Sequence, residues 1–275
     1  ISTAAMVGME VKDAYYCHEA VDKYKYLNIT NPVQKGIVTD MDLLADILRK
    51  EVFSNQLRID PAEHRMILSE PPVNSKKARE ELVQILMEEF DVPKVYLGKQ
   101  AVLALFATGR TTGTVLDSGH GSTHAVPIFE GYAIPHAVKT IDVSGNDLTD
   151  FLIRELNKNP DNTKHEVPDA YKHQLEIEVH IKEKRCYVAQ DFDAELKQAQ
   201  ESANSMKEVT LPNNAKLVLR DELIRTPDVL FHPQFIDRKD EGIARATHEC
   251  ITSCDQDIRK DLFKNIVLAG GCTMF

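Results

Sequence analysis

The run Leu116-Asp117-Ser118-Gly119-His120-Gly121-Ser122-Thr123-His124 constrains this chain more than any other. An apolar strand delivers a carboxylate to a turn with two glycines, and the next strand opens with hydroxyls and a histidine. Glycines at such a bend let backbone N–H groups converge on an anion with no Cβ in the way. Asp117 is placed to hold a divalent cation, directly or through water, because magnesium suits one or two carboxylates plus phosphate oxygens. An ordinary hairpin with an Asx turn explains a lone Asp-Ser-Gly equally well.

The surrounding pattern is mixed α/β. Ile1 to Asn31 is polar and aromatic and reads as a small unit with short strands. Leu82, Ile85, Leu86 and Phe90 recur at helical spacing, which predicts a helix over 74–90 capped by Asn74 or Ser75 and stopped by Pro93. A short strand (Val95 to Leu97) and a helix from about Lys99 to Thr108 follow, with Gly109 as its C-cap. Thr114 to Asp117, Thr123 to Phe129 and Tyr132 to Pro135 form a β-meander. Ser144 or Asn146 caps a further helix through Leu156, and Asn157 to Asp169 is a loop. Leu175 to Ile181 alternates like a strand, whereas its Glu/Lys-rich continuation suggests a helix. Ser253 to Phe263 reads as helical, and Ile266 to Ala269 as a buried strand meeting Gly270-Gly271. Strands and helices alternate without a simple doubly wound count.

Composition excludes several classes. In 275 residues there are 33 Lys+Arg against 43 Asp+Glu, a formal net charge of -10, which argues against a nucleic-acid binder. A negative mean hydropathy and no long apolar run exclude a membrane-spanning helix. Five scattered cysteines suit reduced thiols in a cytosolic or nuclear compartment. Ile1 is not an initiator methionine and Phe275 directly follows a Gly-Gly turn, so the sequence reads as an internal fragment lacking both termini.

Other residues carry weaker signals. Gly270-Gly271 suits close backbone approach to a ligand or a tight strand-to-helix turn. Gln100, in the first turn of its helix, suits orienting a water beside an anion held by the helix N-terminus, though most glutamines there are simply solvated. His124 suits polarising a water or a structural role. His248, Cys250 and Cys254 lack a second ligand pair for zinc. Ser118 with Asp117 and His124 lacks a nucleophile elbow. Lys182 to Arg185 is too short and mixed for nucleic acid.

As a set, these runs closely resemble the actin family. The resemblance is carried by Leu116 to His124 with its continuation Ala125 to His136, and by Asp147-Leu148-Thr149-Asp150. Gln100-Ala101-Val102-Leu103 leading to Thr108-Gly109-Arg110-Thr111-Thr112-Gly113 belongs to it too. So do Met6-Val7-Gly8-Met9 with Lys12-Asp13, Asp257 to Leu262, and Val267 to Met274, in the family's order and at nearly its spacing. The match spans almost the whole chain.

The resemblance implies an actin-like ATPase fold: two lobes of mixed sheets with helices, built on ribonuclease H-like cores, with a nucleotide cleft between them. It divides the chain into a small outer subdomain (1–32), the rest of lobe 1 (33–107), an inner subdomain of lobe 2 (108–143 and 239–275) and its outer subdomain (144–238). Asp117 would hold the Mg2+ of bound ATP through water. Ser118, Gly119, His120, Gly121, Ser122 and Thr123 would form a phosphate loop, and Gln100 and His124 would orient the attacking water. Gly145, Lys182, Glu183, Gly270 and Gly271 match positions around ribose and adenine, which places Lys182 and Glu183 on a helix. The implied activity is slow, assembly-coupled ATP hydrolysis by positioning and electrostatics. Self-association into filaments, actin-binding proteins as partners and a cytoplasmic, cytoskeletal location go with it.

The chain departs from the family pattern in several places. His120 stands in place of a phosphate-loop Asp, Lys35 in place of a histidine, and Phe275 in place of a Tyr beside the adenine. Ile236-Asp237-Arg238-Lys239-Asp240 is charged where the family carries an apolar plug, and the 157–169 loop is longer. The charged plug and His120 favour an alternative: a non-polymerising actin-related protein, a nucleotide-bound subunit of a larger complex. A sugar kinase or chaperone ATPase on the same scaffold is disfavoured, because the matches outside the phosphate loop are to actin.

Overall fold

A computed structural model describes residues 12, 14–23, 27–159, 162, 177–201, 207–210 and 216–275. The Met6 to Met9 segment, most of the 157–169 loop and the first two residues of the 175–181 run lie outside the described residues. The chain divides into two compact units, Ile1–Lys99 and Gln100–Phe275.

In the first unit, helix α1 (Cys17–Asp22) lies where short strands were expected. Strands β1 (Val33–Gln34) and β2 (Ile37–Val38) form a hairpin closed by Lys35 and Gly36, both at positive φ, as a primed two-residue turn requires. Helix α2 (Met41–Ile47) is capped by the Asp40 carboxylate and runs on as a wide π-type coil over Leu48–Leu57. Strand β3 (Met66–Glu70) pairs in parallel with β4 (Val95–Lys99), and α3 (Lys76–Gln84) connects them. The Ser75 hydroxyl caps α3, while the Asn74 amide bonds Glu70 instead. The helix expected over 74–90 is regular only to Gln84 and then widens over Ile85–Glu89. Leu82, Leu86, Phe53, Phe90 and Val92 fill the core.

The second unit is built on a mixed sheet. Helix α4 (Gln100–Ala107) ends before Gly109, which adopts φ 75 as expected of its C-cap. Strands β5 (Gly113–Ser118), β6 (Thr123–Phe129), β7 (Tyr132–Ala133) and β8 (Lys139–Ile141) are antiparallel neighbours, with β6 pairing all three others. Helix α5 (Gly145–Lys158) starts at Ser144, whose backbone N–H and hydroxyl both donate to the Asp147 carboxylate. A helical segment over 177–185 ends in α6 (Glu183–Arg185), and α7 (Phe192–Glu201) follows. Strands β9 (Lys207–Thr210) and β10 (Lys216–Leu219) form a separate antiparallel pair. Helices α8 (Glu222–Asp228), α9 (Gly242–Thr252) and α10 (Gln256–Lys264) precede β11 (Ile266–Ala269), which lies parallel to β5.

Side-chain alternation assigns the sheet's two faces. Val115, Val126, Ile128 and Val267 pack with Ala101 and Leu105 of α4, while Leu116, Ala125 and Ile141 pack with Leu148 and Phe151 of α5. Strand β11 is therefore only half covered. Val267 is buried, but Ile266 and Leu268 are 44% and 60% exposed, contrary to a wholly buried strand.

The 175–181 conflict resolves toward helix where the structure describes it. Ile177 and Ile181 are both fully buried in one apolar cluster. Their separation of four residues is the period of a helix face, so tertiary burial overrides the local alternation. The helix expected over 253–263 begins only at Gln256 and runs to Lys264, because Ser253 to Asp255 turn the chain between α9 and α10.

Candidate functional site

The parallel strands β5 and β11 end side by side, with Ala269 in register with Asp117. Ligands of open α/β sheets gather beyond such carboxyl ends. The turn after β5 is tight: Gly119 N–H donates to Ser122 O at 3.0 Å. The buried Ser118 and Thr123 hydroxyls pair at 2.9 Å, and Thr123 also donates to Val143 O. Those two side chains hold the turn rather than face outward. What the turn offers is backbone: among the described residues the N–H groups of His120, Gly121 and Ser122 donate to no protein acceptor. Three successive unpaired amides in a glycine bend are left available to an anion.

Three further segments converge on this bend. Gly145 N–H donates to Gly119 O and Asn146 N–H to His120 O, both at 2.9 Å, which joins the start of α5 to the turn. Glycine at 145 is required, since a Cβ there would fall 2.9 Å from Cys272 Sγ and 3.0 Å from His120 Cα. Gly270 adopts φ 87, and its Cβ would fall 2.2 Å from Ser118 O and 2.7 Å from Asp117 Oδ1. The close approach expected at Gly270-Gly271 is thus against the β5 turn for Gly270, while nothing lies within 4 Å of a Cβ on Gly271.

The third segment is 177–185. Lys182 is 4% exposed, and its ammonium donates to Gly145 O (2.9 Å), Thr149 Oγ1 (2.8 Å) and Glu178 Oε1. An ammonium has three hydrogens, so all are used within the protein, and Lys182 braces the site rather than offering a donor to a ligand. Burial alone would raise the Glu178 carboxyl, but the bonds from His120 and Lys182 outweigh it and lower it to about 2. Glu183 is exposed one residue on.

Asp117 and His124 face each other in register across β5 and β6. Burial raises the Asp117 carboxyl above its ordinary value, and among the described residues no cation lies against it. A lone, partly buried carboxylate next to unpaired amides suits a magnesium ion that keeps most of its waters and takes phosphate oxygens. Among the described residues no group of three or more metal-binding side chains exists, so a cation here would depend on its ligand's oxygens. His124 is 7% exposed, and burial pushes its imidazole below the ordinary value, toward the neutral form. Its Nδ1 meets Thr140 Oγ1 at 3.1 Å, while its Nε2 is buried without a partner.

Gln100 opens α4, which packs on β5 and β11 through Ala101 and Leu105. No side-chain hydrogen bond joins Gln100 or Glu183 to the rest of the group among the described residues. The structure thus brings together Asp117, the 118–123 turn, His124, Gly145, Lys182 and Gly270. Sequence reasoning missed Glu178, Thr149, Thr140 and Cys272. For Glu178 a signal existed: it stands four residues before Lys182, the spacing of a helical ion pair.

The family model for actin matches residues 3–275. The chain belongs to the actin family. Its mixed α/β architecture is that of the actin-like ATPase fold, and the family assignment makes it an actin-like nucleotide-binding protein. Actin-family proteins generally bind nucleotide with a divalent metal and have a tendency to self-associate. No described helix is long and apolar enough to cross a membrane.

Proposed function

We propose that this chain carries part of an ATP site that hydrolyses ATP slowly and couples hydrolysis to filament assembly. The observation that carries the reading is the row of unpaired amides at His120, Gly121 and Ser122, set between the Asp117 carboxylate and the bracing Lys182. The amides would cradle phosphate oxygens, and a Mg2+ ion held through water by Asp117 would neutralise charge developing on them.

His124, kept neutral by burial, has one ring nitrogen tied to Thr140 and the other bare. A bare neutral nitrogen can accept a proton from, or orient, an attacking water. Gln100 would orient the same water from the start of α4. Gly145, Gly270 and Gly271 would line the approach of ribose and adenine, with Glu183 at its edge. Subdomains over 1–32, 33–107, 108–143 with 239–275, and 144–238 belong to this reading, as do actin-binding partners and a cytoplasmic, cytoskeletal location.

A second reading has its own support. Arg238 pairs with Asp142 and reaches Asp147 at 3.5 Å, and Arg154 donates to Phe235 O at 2.9 Å. These contacts hold the charged 236–240 segment against α5, and its charges resist burial between subunits. That favours a nucleotide-bound subunit that does not polymerise. Pelleting and electron microscopy of the full-length protein in Mg2+ and ATP separate the two. Filaments with phosphate release support the first reading; soluble protein that still binds nucleotide overturns it in favour of the second.

A further inference from the structure

His120 belongs to the anion-binding turn by its backbone, but its ring reaches out of the turn. Nδ1 lies 3.2 Å from Glu178 Oε1. The same oxygen accepts from Lys182, whose other hydrogens hold Gly145 O and Thr149 Oγ1. Glu178 is therefore shared by a buried ammonium and an imidazole ring. Lys182 is buried, and turning away would strand its charge. The His120 side chain is 59% exposed, so it can keep or leave the carboxylate at little cost in burial.

We propose that His120 is a proton-controlled positioning residue: as an imidazolium it clasps the turn to Glu178, and binding of a phosphate chain to the turn takes up a proton there. This rests on the nucleotide reading of the same site and adds its regulation. The charged groups facing His120 are Glu178 and Lys182 from the 177–185 segment and Asp150 from α5. The hydrogen bond to Glu178 leads in favouring the imidazolium, burial opposes it, Glu178 and Asp150 attract the charge, and Lys182 repels it; the net direction is upward.

A polyphosphate on the His120, Gly121 and Ser122 amides adds negative charge beside that ring. Linkage is reciprocal: a ligand that favours the imidazolium is itself bound more tightly by it. Well below the imidazole's value in the free protein, the ring is already charged and no proton moves. Between its free and ligand-bound values, binding takes up a proton, and affinity falls as pH rises through that window.

Calorimetric titration of the full chain with MgADP, in buffers of different ionisation enthalpy, counts the protons taken up. Comparison with His120→Asn removes the ligand's own proton exchange, and the exposure of the ring lets that variant fold. The expected result is greater proton uptake in the parent. Its affinity should also fall about threefold to tenfold more than the variant's between mildly acidic and mildly alkaline pH, corresponding to an imidazole shift of roughly half a unit to one unit. Ring-proton resonances of the parent give a mutation-free check: the His120 midpoint should rise on saturation with MgADP. Equal proton counts in the two chains, or an unmoved midpoint in a saturated parent, overturn the clasp and leave the nucleotide reading standing. No MgADP binding at any pH overturns both.

Discussion

Alanine at position 270 puts the convergence of β5 and β11 to a direct test. Gly270 has φ 87 and ψ 153, a region that is essentially glycine-only and costs other residues about 1–3 kcal/mol. The new methyl would also fall 2.2 Å from Ser118 O and 2.4 Å from Ser118 C. These are backbone atoms fixed by the β5–β6 ladder, so relief requires the end of β11 to move, and overpacking of this kind costs about 1–3 kcal/mol. The two terms place Gly270→Ala at about 2–6 kcal/mol. For a unit of this size that lowers the melting temperature by roughly 4–24 °C, at about 2–4 °C per kcal/mol. Gly271→Ala is the control, since nothing lies within 4 Å of its Cβ; it should lie within about 1 kcal/mol of the parent. Thermal and urea unfolding measure stability, and MgADP titration reads the site. If Gly270→Ala unfolds with the parent and binds as tightly, the two strand ends do not meet as described, and the candidate site loses its floor.

Three other perturbations bear on the chemistry and the charges. Gln100→Ala should slow phosphate release about tenfold to hundredfold, as misplacement of a reacting water does, while changing ATP affinity far less; equal losses in both would put Gln100 in binding or stability. The Glu178 carboxyl lies at about 2 in the fold against an ordinary 4.5, so its contribution is complete above the unfolded value and is lost as pH falls from about 4.5 toward 2. That difference is worth about 3 kcal/mol, and acid unfolding followed by circular dichroism should be correspondingly flatter in Glu178→Gln. In the first unit Glu70 is 5% exposed and bound by Arg79 at 2.7 Å and Lys99 at 2.8 Å. Burial pushes its carboxyl up, but the Lys99, Asn74 and Arg79 bonds prevail and hold it below 4.5. Glu70→Gln should cost about 1–3 kcal/mol near neutral pH, and the penalty should shrink as acid protonates the parent.

Individual elements were legible where local chemistry and tertiary burial agree. The Gly119-His120-Gly121 turn, the flanking strands, the Ser75 cap and the Gly109 C-cap follow from residue types whose preferences act within a few positions. The 177–185 segment was not legible, because alternation and charge pointed in opposite directions. Burial of Ile177 and Ile181 on one face decided it. Strand β11 was misread for a related reason: an apolar run fixes a strand but does not tell whether one face or two are covered.

By itself the sequence determined the alternation of strands and helices, the glycine bend after a carboxylate and the resemblance to one family, all properties of neighbouring residues along the chain. Only the tertiary structure decided that the Lys182 ammonium is wholly engaged within the protein, that Glu178 is shared with His120, and that Gly270 abuts Ser118. Those facts depend on which segments the core draws together across long stretches of chain, and local patterns do not encode which hydrogen bond a side chain will have left to give.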